Sequence, residues 1–321
     1  MNSDKRKQYK VSDDLKKRVH QDFHPILKFP PVNVNSKLNL AFSRTFARVT
    51  WFFSSPLNGV KINKTTHSVE GAEFTIEHFV NENVTGERPC LIYYPGGGFS
   101  LPAFAYLKDI MSQYALGSEC DVIFVNYSLA PENKSTVILG QCYKALEWVI
   151  ENYQQLSINK NMIAVGGDSA GGLAAASTAL YATDKFGDNS LCGQLLIYPV
   201  TDNSLSTQSV KDYHYNPLWS GKSTEEMWVA FLDDGKNEYT LPMYNTNIGR
   251  LPSSYIETAE FDPLTDEGEI YFNKLLELGV NATLNKTKGT VHGYDSTLKS
   301  EVTAENIAKR IEFLRSAFKK R

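Results

Sequence analysis

A serine set among glycines and alanines is the first candidate for chemistry in this chain. Ser169 lies in "VGGDSAGGLAAAS" (165–177), after a short apolar run and before a run with helical spacing. Residues 167–171 have the pattern G-x-S-x-G, which is typical of a sharp strand-to-helix turn that presents a nucleophilic serine. Large side chains would clash in such a turn, so small neighbours are required. We therefore expect Ser169 to be a nucleophile, with helical N–H groups close to a developing oxyanion.

A serine hydroxyl needs a general base to become a good nucleophile. Of the six histidines, His292 is the candidate, because it follows a late strand signal and precedes a glycine in "VHGYD". His67 and His78 precede the serine turn, and His78 lies within a predicted strand. His214 is interpreted as a surface residue outside the catalytic core, with substrate lining as the alternative.

The base in turn needs an acid to orient it and to stabilise its charged form. "AEFDPLTDEG" (259–268) places Asp262 at the end of a predicted strand, just before a proline. The order Ser169, Asp262, His292 is the order expected for an α/β-hydrolase. Asp266 and Glu267 remain alternatives, although acids at these positions are also typical of a helix start.

Three consecutive glycines, Gly96, Gly97 and Gly98, follow another predicted strand in "YYPGGGF" (93–99). Without side chains, they allow backbone N–H groups to approach a substrate oxygen, as an oxyanion hole requires. A merely flexible loop is the alternative interpretation.

The elements that must position these residues alternate between strand and helix patterns. Strands are predicted at 73–80, 89–95, 121–127, 161–167, 193–199, 253–261 and 282–289, and helices at 105–119, 136–156, 169–187, 266–279 and 303–320. This alternation predicts an α/β fold with a mostly parallel sheet and helices on both faces. We expect a catalytic core of residues 61–204 and 249–321. The segments 1–60 and 205–248 break the rhythm and are predicted to form a helical cap.

Composition restricts the class of protein. The 321 residues carry a net charge of −3 and are 42% apolar, which gives no sign of nucleic acid or an anionic membrane as the main partner. No run approaches the roughly 18 apolar residues of a membrane span. The start has no apolar signal region, so we expect a cytoplasmic protein without stable membrane insertion. Its four cysteines are expected to be free, buried thiols.

Five motifs, spread over about residues 85–295, resemble the hormone-sensitive-lipase-like family of α/β-hydrolase esterases, which includes bacterial acetyl esterases. They are "PGGGF" (95–99), "YSLAPE" (127–132), "GDSAGG" (167–172), "DPLTDE" (262–267) and "HGY" (292–294). The resemblance implies Ser169 as nucleophile, His292 as base and Asp262 as its partner.

The resemblance also implies that Gly97, Gly98 and Ala170 supply the oxyanion-hole N–H groups, and that Glu132 braces the site. The chain departs from the family pattern twice. Pro95 replaces a histidine of the glycine motif, and Ser128 replaces the arginine of Y-R-L-A-P-E.

Together these features predict a serine carboxylesterase for short, acetyl-like acyl esters that uses no metal or cofactor. Phe99, Tyr215 and Trp219 are the candidates for substrate binding. Of the cap aromatics, Tyr215, Trp219, Trp228 and Phe231 either line an acyl pocket or form the core of the cap. A serine amidase or peptidase and a non-catalytic binding protein of the same fold remain as alternatives. A homodimer is compatible with the sequence.

Overall fold

The centre of the molecule is an eight-stranded sheet, seen in a computed structural model that describes residues 11–233 and 238–319. The strands are β1 (Val60–Val69), β2 (Ala72–Asn81), β3 (Arg88–Tyr94), β4 (Asp121–Asn126), β5 (Ile158–Asp168), β6 (Gly193–Ile197), β7 (Ser254–Phe261) and β8 (Ala282–Val291). Their spatial order is β1-β2-β4-β3-β5-β6-β7-β8. The β1–β2 and β2–β4 pairs are antiparallel and all the other pairs are parallel.

Helices cover both faces of this sheet. They are α1 (Asp13–Arg18), α2 (Lys37–Phe53), α3 (Tyr106–Gly117), α4 (Ser135–Asn152), α5 (Ala170–Phe186), α6 (Gln208–Asp212), α7 (Gly221–Phe231), α8 (Thr265–Glu277) and α9 (Glu301–Lys319). One apolar cluster includes side chains of α4, α5 and α8, and a second includes side chains of α3 and α9. The predicted α/β class, with helices on both faces of a mostly parallel sheet, is confirmed.

The seven predicted strands correspond to β2–β8, but the sequence analysis assigned no element to β1. Most of β1 is exposed or half-buried, and within residues 11–233 and 238–319 its one neighbour in the sheet is β2. A strand with one neighbour and a solvated face needs few apolar residues, so the pattern that reveals buried strands is weak there.

The two segments predicted as a cap contact one another. Val32 donates its N–H to the carbonyl of Leu218 (2.9 Å), and the Glu226 carboxylate accepts the N–H of Val34 (2.9 Å). The predicted cap includes residues 1–10 and 234–237, and the last predicted helix includes residue 320. These positions lie outside the described residues. All four cysteines are buried, as expected, and none forms a disulfide among the described residues.

Candidate active site

Four strand ends meet at one edge of the sheet and carry the candidate residues. Ser169 follows β5, Asp262 follows β7, His292 follows β8, and the glycine loop begins just after β3. Because β3, β5, β6, β7 and β8 run parallel, their carboxyl ends lie on the same side of the sheet. The topology thus brings together side chains that are up to 123 positions apart in the sequence.

Three of these side chains form a continuous hydrogen-bonded chain. His292 Nε2 lies 2.9 Å from Ser169 Oγ, and His292 Nδ1 lies 2.7 Å from Asp262 Oδ2. All three side chains are buried. The second oxygen of Asp262 accepts the N–H of Leu264 at 2.9 Å, which fixes the carboxylate in its orientation. This arrangement allows proton transfer from the serine to an imidazole whose other nitrogen is held by a carboxylate.

The backbone at Ser169 is held in a rare conformation. Its φ is +56° and its ψ is −121°, a region that costs a non-glycine residue free energy. The turn is fixed from both sides, because Ser169 donates its N–H to Ile197 at 2.8 Å and accepts the N–H of Val200 at 3.0 Å. A Cβ at Gly171 would collide with the Tyr94 carbonyl, so a glycine is required where α5 passes β3.

Three backbone N–H groups face no protein acceptor next to Ser169. Within residues 11–233 and 238–319, the N–H groups of Gly97, Gly98 and Ala170 make no backbone or side-chain hydrogen bond. Gly97 and Gly98 have φ values of +117° and +58°, and Ala170 is the first residue of α5. Unpaired N–H groups in the glycine loop and at a helix N-terminus are suited to binding a developing negative oxygen.

Asp168, the residue before Ser169, holds the start of the glycine loop. Asp168 Oδ1 accepts the N–H of Gly96 and the hydroxyl of Tyr93, both at 3.0 Å. Burial, with a contribution from the nearby charge of Asp295, raises the pKa of Asp168 to about 6. Asp168 is the unspecified second residue of the G-x-S-x-G pattern, and the sequence analysis assigned it no role.

Pro95, which replaces the family histidine, is held through its backbone. Its carbonyl accepts a hydrogen bond from the Tyr127 hydroxyl, which is buried. The loop therefore has a support at this position that does not need the missing imidazole. At the other departure, Gln141 accepts the N–H of Ser128 (2.7 Å) and donates to its hydroxyl (2.9 Å).

An arginine from α2, missed by the sequence analysis, reaches the far side of the same loop. Arg44 pairs with Glu132 at 2.8 Å and donates to the carbonyls of Ser100 (2.8 Å) and Ala130 (2.6 Å). Its hydrogen bond lowers the pKa of Glu132. One guanidinium thus joins the segment after the glycine loop, the "YSLAPE" segment and α2. The absent arginine at Ser128 was the only signal in the sequence, since it left Glu132 without an expected partner.

A buried polar network supports His292. The ring of Tyr198 lies against the imidazole of His292, with 4.7 Å between centroids, and its hydroxyl donates to Asp295 at 2.6 Å. Asp295 also accepts from the fully buried Arg310 at 3.0 Å. Because Asp295 is three residues from His292, this network restrains the turn that carries the imidazole. The sequence offered no motif for it.

The three predicted substrate-binding aromatics are placed differently. Trp219 is buried beside the site, where its ring would clash with a Cβ at Gly98 and lies 5.8 Å from His292. Phe99 is fully buried and stacks on Phe231 of α7 at 3.9 Å. Tyr215 is 69% exposed, with its ring against His214. Trp219 therefore lies at the site, and Phe99 connects the glycine loop to α7. Tyr215 lies at the surface.

The alternative acids Asp266 and Glu267, and the histidine interpreted as a surface residue, His214, have other partners. Asp266 accepts the N–H of Ser209 at 2.8 Å, and Glu267 accepts the N–H of Thr201 at 2.7 Å. His214 lies 3.8 Å from Glu225 and is partly exposed. Among the described residues, the carboxylate that contacts His292 is that of Asp262.

Comparison with known proteins gives a consistent result. A family model described as the alpha/beta hydrolase fold matches residues 91–296. The chain is 35% identical over 217 residues to carboxylesterase NlhH of Mycobacterium tuberculosis. The aligned region covers 66% of this chain and 68% of that protein. It is 32% identical over 209 residues to an arylesterase of Saccharolobus solfataricus, covering 64% and 67% of the two chains. A solved bacterial heroin esterase superposes with a TM-score of 0.86 at 28% identity, covering 95% of this chain and 99% of that one.

Proposed function

Because this chain belongs to the hormone-sensitive-lipase-like branch of the alpha/beta hydrolase family and is a carboxylic ester hydrolase, we propose that it cleaves short-chain acyl esters through an acyl-enzyme on Ser169. The observation that carries this proposal is the chain of hydrogen bonds from Ser169 through His292 to Asp262 (2.9 and 2.7 Å). A serine, an imidazole and a carboxylate in this geometry are suited to nucleophilic acyl transfer.

The proposed reaction has two halves. His292 Nε2 takes the proton from Ser169 Oγ as that oxygen bonds to the ester carbonyl carbon, and Asp262 stabilises the imidazolium. The carbonyl oxygen becomes an oxyanion bound by the N–H groups of Gly97, Gly98 and Ala170. His292 then returns the proton to the alcohol oxygen as the carbon–oxygen bond breaks. Water, deprotonated by His292, hydrolyses the acyl-enzyme and restores the serine.

The proposed preference for short acyl groups is based on the small exposed area of Ser169 and His292. Ser169 and His292 are only 3% and 6% exposed. Trp219 packs at Gly98, and Tyr198 packs against the imidazole, so large rings bound the space next to the nucleophile. An acetyl group needs little room there, whereas a long chain must displace aromatic side chains.

The proposal includes a cap built from residues 1–60 and 205–248 over a core of residues 61–204 and 249–321. The hydrogen bonds between these two outer segments support it, as does the hydroxyl of Ser223, which donates to the Val32 carbonyl at 2.7 Å. The second segment also supplies Trp219 beside the site.

The test is hydrolysis of p-nitrophenyl esters from acetate to decanoate by the wild type and by Ser169→Ala, with the exposed Ser206→Ala as a matched control. We expect kcat/KM to be highest for acetate or butyrate and to fall for longer chains. Ser169→Ala should lose about 10⁴-fold or more in rate, and Ser206→Ala should resemble the wild type. A wild type most active on decanoate would overturn the short-chain proposal. An active Ser169→Ala variant would overturn the mechanism.

A further inference from the structure

Helix α2 carries an outward face that is apolar and uncovered. Six of its large apolar side chains are 49% to 84% exposed: Leu38, Phe42, Phe46, Val49, Phe52 and Phe53. Helices that only face water place polar residues on their outer side. Scattered exposed apolar residues are ordinary, but six on one short helix form a patch of the kind that marks an interaction surface.

The spacing of these residues gives the patch its shape. At about 100° per residue, Leu38, Phe42, Phe46, Val49 and Phe53 fall within an arc of roughly 80° along the whole helix. The buried residues of α2, Leu40 and Ala47, lie on the opposite side. The apolar arc is therefore not a misplaced core face, because the helix has a separate face for the core.

The inner face holds α2 in this orientation. Trp51 stacks on Phe124 with 5.1 Å between centroids, and its indole N–H donates to Glu77 at 3.1 Å. Arg44 joins the helix to Glu132 and to two backbone carbonyls. The apolar arc thus points outward without any rearrangement of the fold.

The charges on α2 discriminate between possible partners. The helix contains Lys37, Arg44 and Arg48 and no acidic residue. Arg44 is paired with Glu132, while Arg48 is exposed and acts on the same carboxylate from a distance. Two copies packed through this face would add no carboxylate of α2, and Glu132 is already paired with Arg44 within its own chain. A surface of anionic lipid headgroups supplies the negative charge that α2 itself lacks.

We propose that α2 docks this protein on the surface of an anionic lipid bilayer, with its apolar arc in the headgroup region and Lys37 and Arg48 against lipid phosphates. Lys37 and Arg48 lie together on one side of the arc, on the polar part of the helix surface. An apolar face with cations on the polar side of a helix of modest overall hydrophobicity is typical of helices that lie in the membrane interface. Among the helices of the described residues, none is long and apolar enough to cross a bilayer, so the contact is peripheral. The chain as a whole has a net charge of −3, but α2 by itself carries only positively charged side chains.

The test is flotation of the full chain with vesicles of phosphatidylcholine alone and of phosphatidylcholine with phosphatidylserine at about three to one. We expect binding to the mixed vesicles, weaker binding to the neutral ones, and loss of affinity at high salt. Phe42→Ser with Phe46→Ser should reduce binding to the mixed vesicles about tenfold or more. The matched control is Ile270→Ser with Leu278→Ser, two exposed apolar residues at α8, which packs on β7 and β8 at the other end of the sheet.

Three results would overturn the proposal. They are no binding of the wild type to the mixed vesicles, equal binding by the α2 variant, and an equal loss in the α8 control. A wild-type dimer that the α2 substitutions convert to a monomer in light scattering would assign the face to a second copy instead. The inference is separate from the ester chemistry, because both pairs of substitutions should leave hydrolysis of p-nitrophenyl acetate unchanged.

Discussion

Two helices of 17 residues, α5 and α2, contribute to the active site in opposite ways. In α5, 13 residues are buried, and most of them are glycine or alanine. In α2, only Leu40 and Ala47 are buried, although the helix contains four phenylalanines. The comparison teaches that side-chain size, more than apolar character, decides which helix approaches the sheet. The close contact of α5 fixes the turn at Ser169, whereas α2 supports the glycine loop from outside through one arginine.

This difference predicts a ranking of substitutions. Substitutions on the sheet side of the site should have larger effects on activity or stability than substitutions on the α2 side. The largest is expected for the carboxylate that contacts His292. Asp262→Asn should reduce kcat by about 10⁴-fold, because an amide favours the wrong imidazole tautomer and does not stabilise the imidazolium. Steady-state kinetics on p-nitrophenyl acetate measure this, with Asp266→Asn as the control. A fully active Asp262→Asn would mean that another acid serves His292.

The packing of α5 is tested by adding a single methyl group. Gly171→Ala should destabilise the fold by about 4 kcal/mol or more, because the new Cβ meets the backbone carbonyl of Tyr94, which has no room to move. Thr45→Ala, at an exposed position of α2, should change the free energy of unfolding by no more than about 0.5 kcal/mol. Urea denaturation compares the two. Equal effects would contradict the contrast between these helices.

Asp168, directly before Ser169, predicts a pH dependence of stability. Its pKa is raised from 3.8 to about 6 in the folded state, so the folded state binds more protons than the unfolded state between these values. Its contribution to stability is therefore fully present below about pH 4 and is lost as the pH rises through about 6, by up to roughly 3 kcal/mol. Denaturation of wild type and Asp168→Asn from pH 4 to 7 measures the difference. A gap between them that does not change with pH would refute this assignment.

The smallest effect is expected from α2. Arg44→Ala should lower kcat about tenfold with little change in KM, since the glycine loop loses one of several supports while the substrate contacts remain. Arg44→Lys should recover only part of the rate, because an ammonium lacks the planar fork that bonds a carboxylate and two carbonyls. Arg48→Ala, one turn along the helix, is the control. If Arg44→Ala matched Asp262→Asn in severity, the ranking would fail.

The sequence predicts the candidate reacting residues better than it predicts the residues that support them. The positions of Ser169, Asp262 and His292 were predicted because each belongs to a compact motif at the end of a strand, and strand ends of a parallel sheet converge. Seven strands were predicted from apolar or alternating runs. The roles of the three residues remain the proposal made above.

The supports of the site were not predictable in the same way. Arg44 and Glu132 are 88 positions apart, and no local pattern connects them. The Tyr198–Asp295–Arg310 network is likewise assembled only by tertiary packing. Tyr215 was a candidate for substrate contact because it is an aromatic residue in a predicted cap, and the folded chain places it at the surface, so its role stays a prediction. Local motifs thus reveal the candidate reacting residues, whereas the residues that support them are brought together only by tertiary packing.

The central claim, that Ser169 is the nucleophile, is tested most directly by covalent labelling. The wild type and Ser169→Ala would be treated with a fluorophosphonate, which phosphonylates an activated serine, and the labelled peptide identified by mass spectrometry. We predict one adduct per chain, on Ser169, formed in step with loss of esterase activity and absent from the variant. An adduct on another residue, or full inactivation with Ser169 unlabelled, would contradict the account.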